Sequence, residues 1–235
     1  MAVSNQEEAL SNLRSELVSA YDVVVETICC DLAREEAAQQ LYERCKAEGW
    51  QVDVLICNAG MLLFSTLVHT EPARLNTIIA LHCTTTTLLC RYFGEDMKRR
   101  GAGHILIMSS ATAWLPYPTI SHYAATKAYL KSFGQSLWYE MRGRGVSITT
   151  LFPSAVDTPF YNLDDKMRRR LLWWGLMLSA EDVARKALRA MFRRRRKCLP
   201  GFWTKLEAAV CALLPAWVLL PIMKIPAVKK ILERV

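Results

Sequence analysis

Leu10, Leu13 and Leu17 fall at helical spacing between charged residues, so residues 5–20 predict an amphipathic helix. Val23 to Cys30 is a β-branched run closed by Asp31-Leu32, and it predicts a strand. Glu35 to Glu48 reads as a second helix ended by Gly49. Val52 to Cys57 reads as a buried strand, and Asn58-Ala59-Gly60 turns the chain at its end. A long helical region, Pro72 to Arg100, breaks at Gly101-Ala102-Gly103. Ile105 to Met108 predicts another buried strand, ending in Ser109-Ser110. A helix follows Pro118 and runs to about Arg142, and then a strand runs from Val146 to Phe152 and stops at Pro153. Ser179-Ala180-Glu181-Asp182 is a capping-box pattern opening a helix to about Arg196. Strands alternating with helices of this length imply parallel β-α-β units, hence an α/β fold with a doubly wound parallel sheet. Ligands of such sheets bind beyond the carboxyl ends of the strands. Asp31, Asn58, Ser110 and Pro153 all stand at predicted strand ends.

Composition adds bounds. The 235 residues suit one domain, drawn at 1–200, with an apolar and basic tail at 201–235. A 52% apolar content is ample for a core. The eight cysteines form no Cys-x-x-Cys pair and mostly lie in apolar runs. That predicts buried, reduced thiols in a cytoplasmic protein, with no metal site. The first residues lack the basic and apolar regions of a signal peptide. Charge is uneven: residues 1–165 carry 13 basic and 18 acidic groups, and 166–235 carry 17 basic and 4 acidic. Two basic runs, Lys166 to Arg170 and Arg193 to Lys197, suit an anionic membrane surface or simply solvent; nucleic acid is the less favoured partner.

Tyr123 and Lys127 lie four residues apart and so share one helix face, while Ser110 ends the preceding strand. A phenol, an ammonium and a hydroxyl in one place make a proton-transfer site. An unperturbed tyrosine titrates near ~10, and a neighbouring ammonium favours its phenolate.

With these motifs the chain resembles the short-chain dehydrogenases/reductases over roughly residues 10–200. The resemblance implies a Rossmann-like sheet and hydride transfer between NAD or NADP and an alcohol or ketone. It implies Tyr123 as general acid or base, Lys127 lowering its pKa and holding the ribose, and Ser110 orienting the substrate oxygen. It places Asp31-Leu32 at the adenine, Asn58-Ala59-Gly60 beside the adenosine, and Pro153, Val156 and Thr158 beside the nicotinamide. A homo-oligomer is implied through the helices at 72–100 and after 123.

Two departures accompany it. The family's Gly-rich pyrophosphate turn has no counterpart in these residues. On this reading the first strand here, Val23 to Cys30, is the family's third, the two before it are missing, and it pairs directly with the Val52 strand. Cofactor binding is then expected to be impaired. The second departure puts His82 where the family has a proton-relay asparagine, with Asn76 nearby but out of register.

Residues between Thr158 and Ser179 match the family's lid. Phe160, Tyr161, Leu171, Leu172, Trp173, Trp174 and Met177 are expected to line an apolar substrate pocket, with core packing or a membrane as the other reading of the tryptophans. Asp157 is expected to take part in the Pro153 segment or to cap its turn. Ala208 to Met223 carries no charge but holds Pro215 and Pro221. It is short of the ~20 residues of a spanning helix and suits a peripheral, interfacial segment, a cover over the pocket or a dimer contact. Two functions follow: an NAD(P)-dependent oxidoreductase of a hydrophobic alcohol or ketone, or a cofactor-deficient, non-enzymatic membrane-surface or interaction protein.

Overall fold

The computed structural model describes residues 1–62, 65–114, 120–158, 164–213 and 221. Phe160, Tyr161 and nearly all of the tail beyond 213 lie outside them. In chain order the elements are β1 (Ala2–Ser4), α1 (Glu7–Ala20), β2 (Thr27–Cys29), α2 (Ala37–Ala47), β3 (Val54–Cys57), α3 (Pro72–Ile79) and α4 (Thr85–Arg100). Then come β4 (Gly103–Met108), α5 (Ser121–Met141), β5 (Val146–Leu151), β6 (Ala155–Asp157), α6 (Asp165–Trp173), β7 (Met177–Ser179), α7 (Ala180–Phe192), β8 (Lys197–Cys198) and α8 (Phe202–Leu213). A turn of π-helix, Ala80–Thr84, joins α3 to α4.

The central sheet is parallel, in the order β3-β4-β5-β8. Alternation along β4 sends Ile105 and Ile107 to one face and Leu106 and Met108 to the other. The first face meets Leu89 and Phe93 of α4 and Leu130 and Leu137 of α5; the second meets Val183, Ala187 and Met191 of α7. Helices on both faces make the sheet doubly wound. Helix α5 lies very close to β5: a Cβ on Gly134 would stand 2.4 Å from Thr150 Oγ1. That approach fixes the helix carrying Tyr123 and Lys127. Ser179 caps α7, its Oγ accepting from Asp182 N at 3.2 Å, as the capping pattern predicts.

The amino-terminal expectation needs correction. The chain has a strand before α1: Ala2–Ser4 pairs in parallel with Thr27–Cys29, Val3 opposite Ile28. The strand expected at Val23 starts only at Thr27, and Val24 is 87% exposed. Nor does β2 pair with β3. Among the described residues β1–β2 is a separate sheet, although Val3, Ile28 and Leu32 share one apolar core with Leu55 and Cys57. Three residues at the chain start are too few to show a period, and a β-branched run alone does not say where pairing begins.

Candidate active site

Strand β4 ends at Met108, and three bonds tie its end to neighbouring elements. Lys127 Nζ donates to Met108 O at 3.0 Å, Ser109 Oγ donates to Lys127 O at 2.8 Å, and Ala111 N donates to Pro153 O at 2.9 Å. Ser110 Oγ accepts from Thr112 N at 3.2 Å, which leaves its O–H to donate. The Lys127 ammonium lies 5.5 Å from the centre of the Tyr123 ring. Lysine at a site this dry is expensive to charge: it is 4% exposed, and burial pulls its pKa down to about 8. Ser110, Tyr123 and Lys127 thus gather at the carboxyl ends of β4 and β5.

His82 lies in the π-helical turn, 1% exposed, with its ring 5.8 Å from the Tyr123 ring at an edge-on angle. Such turns recur at functional sites. Its Nε2 accepts from Met61 N at 3.0 Å, and its Nδ1 meets Thr126 Oγ1 at 2.8 Å. Thr126 Oγ1 donates in turn to Tyr123 O at 2.8 Å, so Nδ1 must carry the hydrogen. Burial, then the Lys127 charge, lowers the His82 pKa to about 3. The imidazole is therefore neutral, with both nitrogens committed. It joins the Asn58–Met61 turn to α5. Gly60 is required there, because a Cβ would stand 2.9 Å from His82 Nε2.

Asp31 Oδ1 accepts from Ala33 N at 3.0 Å, and Leu32 is buried, its carbonyl accepting from Thr85 Oγ1. Asn58 and Ala59 are exposed at the end of β3, and Asn76 is exposed on α3. Val156 pairs with Leu178 across β6 and β7, and Thr158 Oγ1 donates to Val156 O at 3.3 Å. Met177 is buried and Leu171 and Leu172 are half-buried, whereas Trp173 is 82% exposed and Trp174 is also exposed. Asp157 receives both ends of the Arg168 guanidinium, at 2.7 and 2.8 Å, which ties α6 to β6. The sequence reading missed this pair, whose eleven-residue separation follows no helical or strand period. It also missed Thr126, although that residue sits inside the Tyr-x-x-x-Lys motif, and Lys131, whose Nζ donates to Ala113 O at 2.9 Å.

The family model described as "short chain dehydrogenase" matches residues 1–168, and the chain belongs to that family, whose members are oxidoreductases using NAD or NADP. The chain is 26% identical over 187 residues to an uncharacterized oxidoreductase of Staphylococcus saprophyticus, covering 79% of this chain and 76% of that protein. It is 28% identical over 222 residues to the very-long-chain 3-oxoacyl-CoA reductase of Bos taurus, covering 92% and 67%. It is 28% identical over 170 residues to 17-beta-hydroxysteroid dehydrogenase type 3 of Mus musculus, covering 71% and 55%. Among solved structures, a 7beta-hydroxysteroid dehydrogenase superposes with a TM-score of 0.81 at 18% identity, covering 100% of this chain and 86% of that one. A Sphingobium yanoikuyae short-chain dehydrogenase in complex with NADPH gives 0.75 at 22%, covering 88% and 82%. These two likenesses speak for the fold. Among the described residues no helix is long and apolar enough to cross a membrane.

Proposed function

We propose that the chain interconverts a hydrophobic alcohol and ketone, with Tyr123 as the proton donor and acceptor. The observation that carries this reading is the buried Lys127 ammonium 5.5 Å from the Tyr123 ring, fixed by its bond to the end of β4. A cation held there favours the phenolate over the phenol. Ser110, with its O–H turned loose, orients the substrate oxygen. A bound NAD or NADP supplies or accepts the hydride. The donors at the strand ends suit its nicotinamide half: Lys127 for the ribose hydroxyls, and the Pro153, Val156 and Thr158 segment braced by β7. Asp31 and Leu32 suit the adenine, and Asn58-Ala59-Gly60 the adenosine. No glycine-rich turn in these residues suits the pyrophosphate. NADPH is therefore expected to bind the 235-residue chain more weakly than about 1 µM, read by calorimetric titration.

His82 acts by position. A relay needs a nitrogen free to exchange a proton, and both are engaged with Met61 and Thr126. The expected outcome for His82→Ala is a rise in KM for cofactor and a fall in kcat, both rescued by His82→Asn, with the pH profile of kcat/KM unchanged. A pH limb lost with the histidine would instead make it a relay.

The substrate class rests on half-buried Leu171 and Leu172 and buried Met177 of the α6–β7 segment, and on the proposed lining by Phe160 and Tyr161; exposed Trp173 and Trp174 favour the other reading, a surface that meets a membrane. Two of the relatives named above act, by name, on a steroid and on a very-long-chain acyl group. NADPH-dependent reduction of a panel of steroid, long-chain acyl and sugar ketones tests it. Turnover of the hydrophobic ketones is expected; preference for the sugar overturns the substrate class, and no turnover of any overturns the activity in favour of the non-enzymatic reading.

A further inference from the structure

One surface remains unexplained by the reaction. Helix α8 presses Thr204 and Ala208 inward, both buried, and Thr204 Oγ1 bonds Ser154 Oγ at 2.9 Å. Ser154 follows Pro153, so α8 sits at the catalytic end of the sheet. The opposite face of the helix carries Phe202, Leu206 and Val210 at four-residue spacing, and all three are exposed, Phe202 at 73%. Trp203 extends that ridge to α6: its Nε1 donates to Trp174 O at 3.1 Å, and Trp174 stands 5.9 Å from Trp173, ring to ring. The result is one continuous aromatic and apolar ridge beside the site. Exposed apolar ridges of this kind mark interaction surfaces.

Charge tells what covers it. Lys166, Arg169 and Arg170 project from exposed α6, Arg170 lying 6.0 Å over the Trp174 ring, and exposed Lys205 stands on α8. Among the described side chains, Asp164 and Asp165 face them at the start of α6, where Asp164 caps the helix through Met167 N. Tryptophans bordered by basic side chains match the boundary between acyl chains and anionic headgroups. The other basic run does not share this face. Arg193 to Arg196 precede β8, at the amino end of the sheet, and Arg196 is spent on Trp138 and on Tyr139, whose hydroxyl it reaches at 2.6 Å.

We propose that the α6–α8 ridge docks the protein on an anionic lipid bilayer, with the catalytic end of the sheet toward the lipid. The choice of a bilayer rests in part on the hydrophobic-substrate reading, because such a ketone partitions into the bilayer. Flotation of the full chain with phosphatidylcholine vesicles containing about 30% phosphatidylserine tests it. The chain is expected to rise with these vesicles and to bind pure phosphatidylcholine roughly tenfold more weakly. Phe202→Ser with Leu206→Ser, and separately Arg169→Glu with Arg170→Glu, are each expected to lower binding roughly tenfold, with circular dichroism unchanged. Tryptophan emission of the wild type is expected to shift to the blue on adding vesicles. The proposal falls if the wild type stays unbound, or if the Phe202/Leu206 variant floats equally well. It also falls if flotation fails while either of two other partners is found. One is an oligonucleotide whose binding Arg169→Glu/Arg170→Glu abolishes; the other is a dimer lost in the Phe202/Leu206 variant. Flotation requires no turnover, so its failure leaves ketone reduction in solution to stand or fall separately.

Discussion

Ile56 and Leu106 are partners on adjacent, hydrogen-bonded strands, yet Leu106 is 3% exposed and Ile56 is 46% exposed. The difference divides the molecule. On the β4–β5–α5 side every described strand has partners, both sheet faces are covered, and Lys127, proposed to act on the Tyr123 proton, is bonded to the end of β4. On the β1–β2–β3 side, among the described residues, the two-stranded β1–β2 sheet and the β3 edge of the central sheet share a core without sharing hydrogen bonds. The side proposed to handle the proton is thus built from dense packing among described residues. The side expected to hold the far end of the cofactor is more open. A site can be finished for one partner of a reaction while remaining loose for the other.

The largest effect expected from breaking the finished side comes from Lys127→Met. Turnover is expected to fall about a thousandfold, because the phenolate loses its cation. Stability moves differently. The folded pKa of about 8 lies below the ordinary 10.5 of lysine. Between those values the unfolded chain binds the extra proton at this site, so Lys127 adds stability as pH rises through that window, a contribution the methionine variant lacks. Urea titrations of both cofactor-free proteins across this range read the difference; equal slopes would contradict the burial of the charge.

The comparison sharpens on paired truncations. Leu106→Ala is expected to cost about 3 kcal/mol and Ile56→Ala less than about 1 kcal/mol, read as urea midpoints. Equal losses would show that β3 is as enclosed as β4. Gly134→Ala is expected to cost about 2 kcal/mol, because its Cβ collides with Thr150 and pushes α5 off β5. A smaller effect belongs to His82. Its folded pKa of about 3 lies below the ordinary 6.5, so the unfolded chain takes up a proton first as pH falls. Stability is therefore lost between those values in the wild type, and His82→Asn is expected to lack that part of the acid slope.

Much of the finished side was legible in the sequence. Ile105 to Met108, the Tyr123 helix and the Val146 strand show clear periods, and Ser110, Tyr123 and Lys127 stand where those periods put them. The role of His82 was not legible, because it depends on Met61 N and Thr126, which are 21 and 44 residues away. Helix α6 was hidden by its charge: Lys166, Arg168, Arg169 and Arg170 crowd its short apolar pattern of Met167, Leu171 and Leu172, and its tether is the Arg168–Asp157 ion pair. The open side was read least well. Ala2–Ser4 is three residues long, and strand pairing there is decided by contacts with Glu26 to Cys30 that no local pattern encodes.

In the proposed reduction Tyr123 gives its proton while hydride arrives from the cofactor. NADPH deuterated at the reducing carbon of the nicotinamide, held at saturating concentration with a hydrophobic ketone, tests this in one experiment. Mass spectrometry of the product alcohol is expected to find deuterium at the carbinol carbon with the wild type, and about a thousandfold less in the same time with Tyr123→Phe. An unlabelled product from the wild type, or equal labelling by Tyr123→Phe, would contradict it.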